Sequence, residues 1–269
     1  MTVKLGVDIG GTSIRVGIVK NGKVLRYVKN DTPKTQKELL DVLVSGISQC
    51  MSKDVIGIGV ASPGPLKDGV IHNTPNLPFK VFNLKKFLYQ KFKTRVEIEN
   101  DAHCVALSEL HLGVRKKNFI VLTLGTGIGG GIIIDGKMYE GTGYGGEMGH
   151  IVVDSGKFLE TLWQENRNKT HKYFGDSYGI KQLMHERDKK AKEFLDEVVV
   201  YLGRAIGSYI NVFDPEVVVL MGGPREAGQK FMDMIIKESR KYVILPRMPK
   251  IQWSKLDHPG ILGASLLIN

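Results

Sequence analysis

Runs of apolar residues divide the first part of the chain into strands and one helix. Val3 to Ile9 and Val55 to Ala61 are almost entirely apolar, which predicts strands that are buried on both faces. Ile14 to Lys20 and Lys23 to Lys29 are more mixed and are separated by Asn21-Gly22, a pair typical of two-residue hairpin turns. Between the third and fourth strands, Thr35 to Met51 places its apolar residues at helical spacing. This order predicts an α/β fold.

The second half of the chain shows the same succession of patterns. We predict strands at Phe119 to Leu124, Gly131 to Asp135 and Glu216 to Met221, and a long helix from about Lys189 to Phe213. After Gly222-Gly223 we predict a helix to about Tyr242, then a strand near Ile251 and a final helix from Gly260. The second predicted strand ends at Asp135-Gly136, another hairpin pair.

The two halves are related by an internal repeat. A shift of 114 positions places Gly11-Thr12 on Gly125-Thr126, and it also aligns the glycines of the two hairpin turns, Gly22 and Gly136. Chance could align some of 32 glycines, but duplication of one strand-turn-strand unit explains the matches better. Two such units would face each other across a cleft, where ligands usually bind in two-domain α/β proteins.

Composition restricts the functional class. The net charge is +10, but the lysines are dispersed and no basic arm or zinc-finger spacing occurs, so we expect no nucleic-acid partner. No apolar run approaches the roughly 18 residues that cross a bilayer, and the first residues do not resemble a signal peptide, so we expect a cytoplasmic protein without a membrane partner. Cys50 and Cys104 are far apart in sequence, which disfavours a metal cage.

Glycine-rich turns follow the first strand of each half. In Asp8-Ile9-Gly10-Gly11-Thr12, glycines allow backbone N–H groups to approach a phosphate closely, Thr12 adds a hydroxyl donor, and Asp8 can hold a hydrated Mg²⁺. The copy, residues 124–131, offers Thr126 and Gly127 but has Leu122 in place of Asp8. Gly222-Gly223 adds a third pair of glycines after a strand. Ordinary glycine hairpins are the alternative, but three such turns favour phosphate binding.

These motifs resemble those of the ROK family of sugar kinases, repressors and open reading frames, within the hexokinase and actin-like ATPase superfamily. The resemblance covers essentially the whole chain, and its most specific parts are Glu99-Asn100-Asp101-Ala102 and Gly145-Gly146-Glu147-Met148-Gly149-His150. It implies two ribonuclease-H-like domains. We expect an N-terminal domain over residues 1–112, with the helix at 258–269 packing back on it, and a C-terminal domain over residues 113–257.

The resemblance also implies an activity, namely ATP- and Mg²⁺-dependent phosphorylation of a hexose or related sugar, as in a glucokinase. Asp101 would be the general base on the acceptor hydroxyl, although an aspartate before a helix is also a common N-cap. The implied sugar-binding residues are Asn76, Asn100, Asp101, Glu147, His150 and Glu160. The implied nucleotide-binding residues are Asp8, Gly10, Gly11, Thr12, Thr126, Gly127, Gly222 and Gly223. Relatives are often homodimers, so a homodimer is the assembly to test.

One departure from the family pattern concerns zinc. In many members the histidine that corresponds to His150 also ligates zinc, together with three cysteines from the loop before the counterpart of Glu160. Here Ile151 to Leu159 contains no cysteine and is about ten residues shorter than that loop, and a structural zinc site needs four good ligands. We therefore expect no zinc site, and His150 must be oriented in another way.

Two other functions stay open at this point. Compact, zinc-free relatives use inorganic polyphosphate as the phosphoryl donor, and the positive net charge would suit a polyanion. A non-catalytic, sugar-sensing protein is the other reading. Retention of Asp101 argues against it, and the first phosphate motif lies within the first ten or so residues, where family repressors would carry a DNA-binding region. The sequence does not identify the sugar.

Overall fold

A computed structural model describes residues 2–72, 74 and 77–268 of the chain. In chain order the strands are β1 (Val3–Ile9), β2 (Ser13–Lys20), β3 (Lys23–Asp31), β4 (Val55–Ser62), β5 (Leu66–Lys67), β6 (Val70–His72), β7 (Val81–Asn83), β8 (Arg95–Asn100), β9 (Phe119–Leu124), β10 (Ile128–Ile134), β11 (Lys137–Met138), β12 (Val152–Asp154), β13 (Lys157–Phe158), β14 (Val217–Gly222) and β15 (Lys250–Trp253).

The α-helices are α1 (Gln36–Cys50), α2 (Leu84–Phe92), α3 (Asp101–His111), α4 (Leu159–Phe174), α5 (Ile180–His185), α6 (Lys189–Phe213), α7 (Gly228–Arg240) and α8 (Pro259–Leu266). Two short 3₁₀ turns span Met148–His150 and Gly223–Ala227. Most elements predicted from the hydrophobic pattern are confirmed within two residues. An example is α1, which is capped by Thr35 at its N-terminus and ends before Met51. No helix in the described part of the chain is long and apolar enough to cross a membrane.

The chain folds into two compact units. The first comprises residues 1–115, 138–145 and 255–269, and the second comprises residues 116–137 and 146–254. The short segment 138–145 thus belongs to the first unit, although it is flanked by parts of the second.

The first unit is built on a five-stranded sheet with the order β3-β2-β1-β4-β8. β1 pairs antiparallel with β2 and parallel with β4, and β4 continues in parallel with β8. α1 packs against β2 and β3, whereas α8 packs against β1, β4 and α3. The continuous apolar pattern of β1 and β4 is explained by this arrangement, because helices cover both faces of the sheet. A small antiparallel sheet, β5-β6-β7, completes this unit.

The second unit repeats this topology. Its five-stranded sheet has the order β11-β10-β9-β14-β15, again with one antiparallel pair at β9 and parallel pairs through β14 to β15. Its core joins β9, β10 and β14 to the amphipathic helix α6. The 114-residue repeat therefore corresponds to a repeated fold, and the expected fold class of two ribonuclease-H-like units is confirmed.

The hairpin turns are formed by the pairs that the sequence indicated. Asn21 and Gly22 have φ values of 52° and 69°, and Asp135 and Gly136 have 50° and 74°. Positive φ at both central positions matches the right-handed twist of the flanking strands, and asparagine, aspartate and glycine tolerate it best. One strand boundary was wrong. β10 begins at Ile128 rather than at Gly131, because the glycines at 129 and 130 pair with β9 instead of forming a turn.

Candidate active site

The turn after β1 presents a short exposed tip. The Gly10 N–H donates to the Ser13 carbonyl oxygen at 2.9 Å, and the Thr32 hydroxyl donates to the Gly10 carbonyl oxygen at 2.6 Å. Gly11 and Thr12 lie exposed at the tip of the turn. The turn is therefore held in place from behind, while the two residues that match the phosphate motif face solvent.

Asp8 lies near the end of β1, directly before this turn. Its carboxylate is 3.4 Å from the guanidinium of Arg15, and about one fifth of the side chain, 21 %, is exposed. Burial raises the pKa of Asp8 above its ordinary value, and the charge and hydrogen bond of Arg15 oppose that rise. A cation bound at the exposed part of this carboxylate would favour its ionised form.

The turn from β8 into α3 carries the candidate base. Asn100 is the N-cap of α3, and its Oδ1 accepts the N–H groups of Ala102 and His103 at 2.9 and 3.2 Å. Asp101 is thus the first residue of the helix rather than its cap, and its Oδ1 accepts the Ala102 N–H at 2.9 Å. The N-terminus of a helix favours a negative charge, so the Asp101 carboxylate lies where its ionised form is stabilised.

The sheet register brings Asp8 and Asp101 to one edge of the first unit. Asp8 is level with Ala61 of β4, and Ala61 is level with Glu99 of β8. The three strands are parallel, so their carboxyl ends, and the loops that follow them, lie along the same edge. Ligands in open α/β sheets usually bind at that edge.

The glycine-rich turn of the second unit is braced by a helix. The Glu160 Oε2 accepts the Ile128 N–H at 2.8 Å, and its Oε1 accepts the Gln164 side-chain amide at 3.1 Å. The indole of Trp163 donates to the Gly125 carbonyl oxygen at 3.0 Å. The first turns of α4 therefore hold both ends of the loop, and Thr126 is exposed at its tip.

The turn at residues 146–150 presents two half-exposed polar side chains. Met148 and Gly149 are buried, and the Tyr209 hydroxyl on α6 donates to the Met148 carbonyl oxygen. Glu147 and His150 are each 52 % exposed, and the His150 Nδ1 lies 3.5 Å from the Glu147 carboxylate. The buried part of the turn anchors it, so that its two candidate sugar ligands point outwards as a pair.

His150 is oriented by a protein contact as well as by Glu147. Its ring lies 5.7 Å from the ring of Phe158, between centroids. Phe158 belongs to the β12–β13 hairpin, whose turn at Ser155 and Gly156 has positive φ values of 46° and 76°. This tight hairpin stands where the resemblance puts a longer cysteine-containing loop. No group of three or more His, Cys, Asp or Glu side chains within the described ranges could hold a metal ion.

A cavity of about 350 Å³ opens beside the glycine-rich turn of the second unit. Gly125 and Thr126 line one side, and Gly223 and Pro224, which follow β14, line another. Most of its remaining walls come from α4, α5 and the loop between them, including Trp163, Asn166, Arg167, Thr170, His171, Asp176, Tyr178, Lys181 and Gln182. Cavities of this size and mixed polarity accommodate small organic ligands.

Comparison with known proteins identifies the family. The ROK family model matches residues 4–172 and 153–269, which together span nearly the whole chain. The chain belongs to the ROK family.

Individual relatives match this chain over 76% to 99% of their own length. The chain is 27% identical to a glucokinase of Thermotoga maritima, over 98% of this chain and 96% of the relative. A crystal structure of a ROK family glucokinase from Streptomyces griseus in complex with glucose and AMPPNP superposes with a TM-score of 0.87, at 26% identity and 99% coverage of both chains. A xylose repressor of Bacillus spizizenii is 29% identical and is matched over 98% of this chain and 76% of its own length. The similar proteins therefore include both glucokinases and a repressor.

The residues expected from the ROK motifs are distributed over both units. The first unit holds Asp8, Gly10, Gly11, Thr12, Asn100 and Asp101, and the second holds Thr126, Gly127, Glu147, His150, Glu160, Gly222 and Gly223. The β9–β14 register sets Gly222 level with Leu124, so the two glycine turns of the second unit share one sheet edge. Asn76 lies outside the described residues.

Three residues near the ROK motifs were not identified from the sequence. His103 hydrogen-bonds Glu99 and Gly145, Tyr209 holds Met148, and Gly260 lies against the Asp8 carboxylate. His103 directly follows the motif Glu99-Asn100-Asp101-Ala102, but nothing in that motif indicates the hydrogen-bond partners of His103. The other two contacts join residues that are 61 and more positions apart, and no local pattern reports them.

Proposed function

We propose that this protein is a sugar kinase that transfers the γ-phosphoryl group of ATP to a hydroxyl of a hexose or related sugar. The single observation that carries the proposal is the Asp101 carboxylate at the N-terminus of α3, on the same sheet edge as Asp8 and the first phosphate turn. A protein that only binds sugar needs no carboxylate at the point where a base is required. The glucokinases of Thermotoga maritima and Streptomyces griseus support this reading.

Asp101 is the general base of the proposed reaction. The sugar hydroxyl gives its proton to the Asp101 carboxylate as its oxygen forms a bond to the γ-phosphorus, and the bond from that phosphorus to the bridging oxygen of ADP breaks. Phosphoryl transfer of this kind depends on position and charge more than on covalent help from the protein. The positive end of the α3 helix dipole favours the negatively charged form of Asp101, which is the form that accepts the proton.

The sugar would be held by amide and carboxylate groups with fixed supports. The Asn100 Oδ1 caps α3, so its side-chain NH₂ is the group that donates to a sugar oxygen. Glu147 and His150 present an acceptor and a ring nitrogen side by side. Glu160 already accepts two hydrogen bonds, and each carboxylate oxygen has a further lone pair for a hydroxyl. Asn76 completes the proposed set from outside the described residues.

The phosphates would be bound by the glycine turns. Gly10, Gly11 and Thr12 offer the exposed hairpin tip in the first unit, and Thr126, Gly127, Gly222 and Gly223 offer the second. The Asp8 carboxylate fits a magnesium ion, because it is an oxygen ligand that is partly exposed beside a phosphate turn. When bound there, Mg²⁺ would neutralise charge on the phosphates.

The cavity of the second unit favours ATP over polyphosphate as the donor. It adjoins the Thr126 and Gly223 turns and has aromatic walls in Trp163 and Tyr178, which suit a nucleoside. A polyphosphate chain has no base or ribose to fill such a space. The S. griseus structure, which holds a nucleotide analogue, supports the same choice.

A substrate panel tests the proposal. Purified protein is assayed with glucose, fructose, mannose, allose, N-acetylglucosamine and N-acetylmannosamine, each with Mg-ATP and with polyphosphate, and ADP or phosphosugar is measured. We expect turnover with ATP and at least one hexose, glucose first, and its loss on addition of EDTA. Sugar binding by calorimetry without any turnover would overturn the kinase assignment in favour of a sugar sensor.

A further inference from the structure

His103 is buried between the base-bearing turn and the segment that leads into the sugar-binding turn. It belongs to the first turn of α3, two residues after Asp101, and is 5% exposed. Its Nδ1 lies 3.1 Å from Glu99 Oε1 on β8, and its Nε2 lies 2.8 Å from the Gly145 carbonyl oxygen. Both ring nitrogens are thus at hydrogen-bond distance from oxygens on two other stretches of the first unit.

Both of these oxygens act as acceptors. The Gly145 carbonyl has no proton to donate, and the Glu99 Oε1 also accepts the Asn100 N–H at 2.7 Å. A neutral imidazole carries one N–H and would turn a lone pair towards one of the two oxygens, whereas an imidazolium donates to both. The geometry therefore selects the charged form of His103.

The charges around His103 favour the same form. Burial lowers the pKa of His103, but the hydrogen bond and charge of Glu99, the hydrogen bond to Gly145 and the charge of Glu140 outweigh it, so the pKa lies above its ordinary value. The Asp101 carboxyl group and the buried Cys104 thiol are the other ionisable groups in the first turn of α3. The sequences of β4 and α8, which also pack on α3, contain no ionisable side chain.

Gly145 directly precedes the turn with the proposed sugar ligands Glu147 and His150. We propose that His103, in its imidazolium form, is a positioning residue that holds Gly145, the residue directly before this turn, against the helix carrying Asp101. The inference rests on the proposed function for its kinetic consequence, but not for its structural content. Both hydrogen bonds, to Glu99 and to Gly145, are made below the pKa of folded His103. One of them is lost as the pH rises through that pKa, because one ring nitrogen then has no proton to donate to the oxygen that it faces.

Kinetics of three variants test this role. In His103→Gln the amide can donate to one partner only, so we expect the sugar KM to rise about tenfold, the loss typical of one charge-assisted hydrogen bond, with a smaller change in kcat. In the wild type, the sugar KM should rise at alkaline pH as His103 loses its proton. That rise should be absent in His103→Gln. Glu99→Gln removes the neighbouring charge and should move that alkaline rise to lower pH. His111→Gln, on the exposed end of the same helix, is the matched control and should retain wild-type behaviour.

A measurement without turnover makes the outcome independent of the kinase assignment. Nitrogen-15 spectra of the wild-type protein should show both His103 ring nitrogens protonated at pH 7, and the titration midpoint should fall in Glu99→Gln. A neutral ring at pH 7, or a His103→Gln protein with unchanged sugar KM and pH profile, would overturn the positioning role. If no sugar is turned over by the wild type, the proposed function fails. The spectra alone then show whether His103 donates hydrogen bonds to both Glu99 and Gly145.

Discussion

Glu160 accepts the N–H of Ile128 at 2.8 Å, so a proposed sugar ligand also supports the glycine-rich turn of the second unit. The same carboxylate fills the space beside Gly127, where a Cβ would lie 2.5 Å from Glu160 Oε2. A Cβ at this distance would force the Glu160 carboxylate to move, so the glycine leaves room for the carboxylate in its observed position. In the proposed kinase, this contact would couple sugar binding to the shape of the nucleotide site.

The first prediction concerns this pair. Gly127→Ala should displace Glu160 and weaken its hydrogen bond to Ile128, which would raise the KM for ATP and lower the free energy of unfolding by about 1–3 kcal/mol. In a Glu160→Ala background, the same substitution should cost much less, because the space is then empty. A double-mutant cycle on urea unfolding measures this coupling. Additive effects of the two substitutions would contradict the contact.

The second prediction concerns the base. Asp101→Asn keeps an oxygen that can accept the Ala102 N–H, so the helix start should persist while the proton acceptor is lost. We expect kcat to fall by about 10²- to 10⁴-fold with little change in sugar affinity or melting temperature. Asp135→Asn, the same chemical change in an exposed hairpin turn, is the control. Full turnover by Asp101→Asn would exclude the proposed mechanism.

The fold could be predicted from the sequence to a large extent because its signals are local. Buried parallel strands are read from continuous apolar runs, and hairpins from residue pairs that tolerate positive φ. The repeat of 114 positions then indicated that the second half of the chain repeats the fold of the first, as the two five-stranded sheets do. The small sheet β5-β6-β7 and helices α2, α4 and α5 were not predicted. Among them, the elements of two to six residues are too short to show a period.

For the site, the sequence indicated candidate residues but not their contacts. The motifs indicate Asp101 and Glu160, yet the partners of Glu160 and His103 lie 32 and 42 positions away in the chain. Contacts between residues so far apart in the chain form through tertiary packing, and no periodic pattern in the sequence indicates them. The N-cap of α3 could not be assigned from the sequence either. Aspartate and asparagine are both good caps, and Asn100 rather than Asp101 takes this position because of where β8 ends.

The third prediction concerns the anchor of the turn at residues 146–150, the proposed sugar-binding turn. Burial raises the pKa of Tyr209, so its hydroxyl stays a neutral donor to the Met148 carbonyl oxygen throughout the useful pH range. Tyr209→Phe leaves that buried oxygen without its donor, which should cost about 1–3 kcal/mol of stability and raise the sugar KM. Thermal unfolding and sugar titration check both effects. Tyr173→Phe, at an exposed tyrosine on α4, should change neither.

The last prediction separates two glycines of α8 that lie three residues apart. A Cβ at Gly263 would lie 1.7 Å from the Cys104 carbonyl oxygen, whereas a Cβ at Gly260 would lie 2.7–2.8 Å from the Asp8 carboxyl group. Backbone cannot move aside, but a carboxylate can rotate. Gly263→Ala should therefore destabilise the protein by about 1–3 kcal/mol or more through overpacking.

Gly260→Ala should cost less stability, yet it should raise the Mg²⁺ concentration needed for half-maximal activity, because Asp8 is displaced. Denaturant unfolding and Mg²⁺ titration of both variants measure the two effects. Equal Mg²⁺ requirements in Gly260→Ala and wild type would show that Asp8 does not hold the metal.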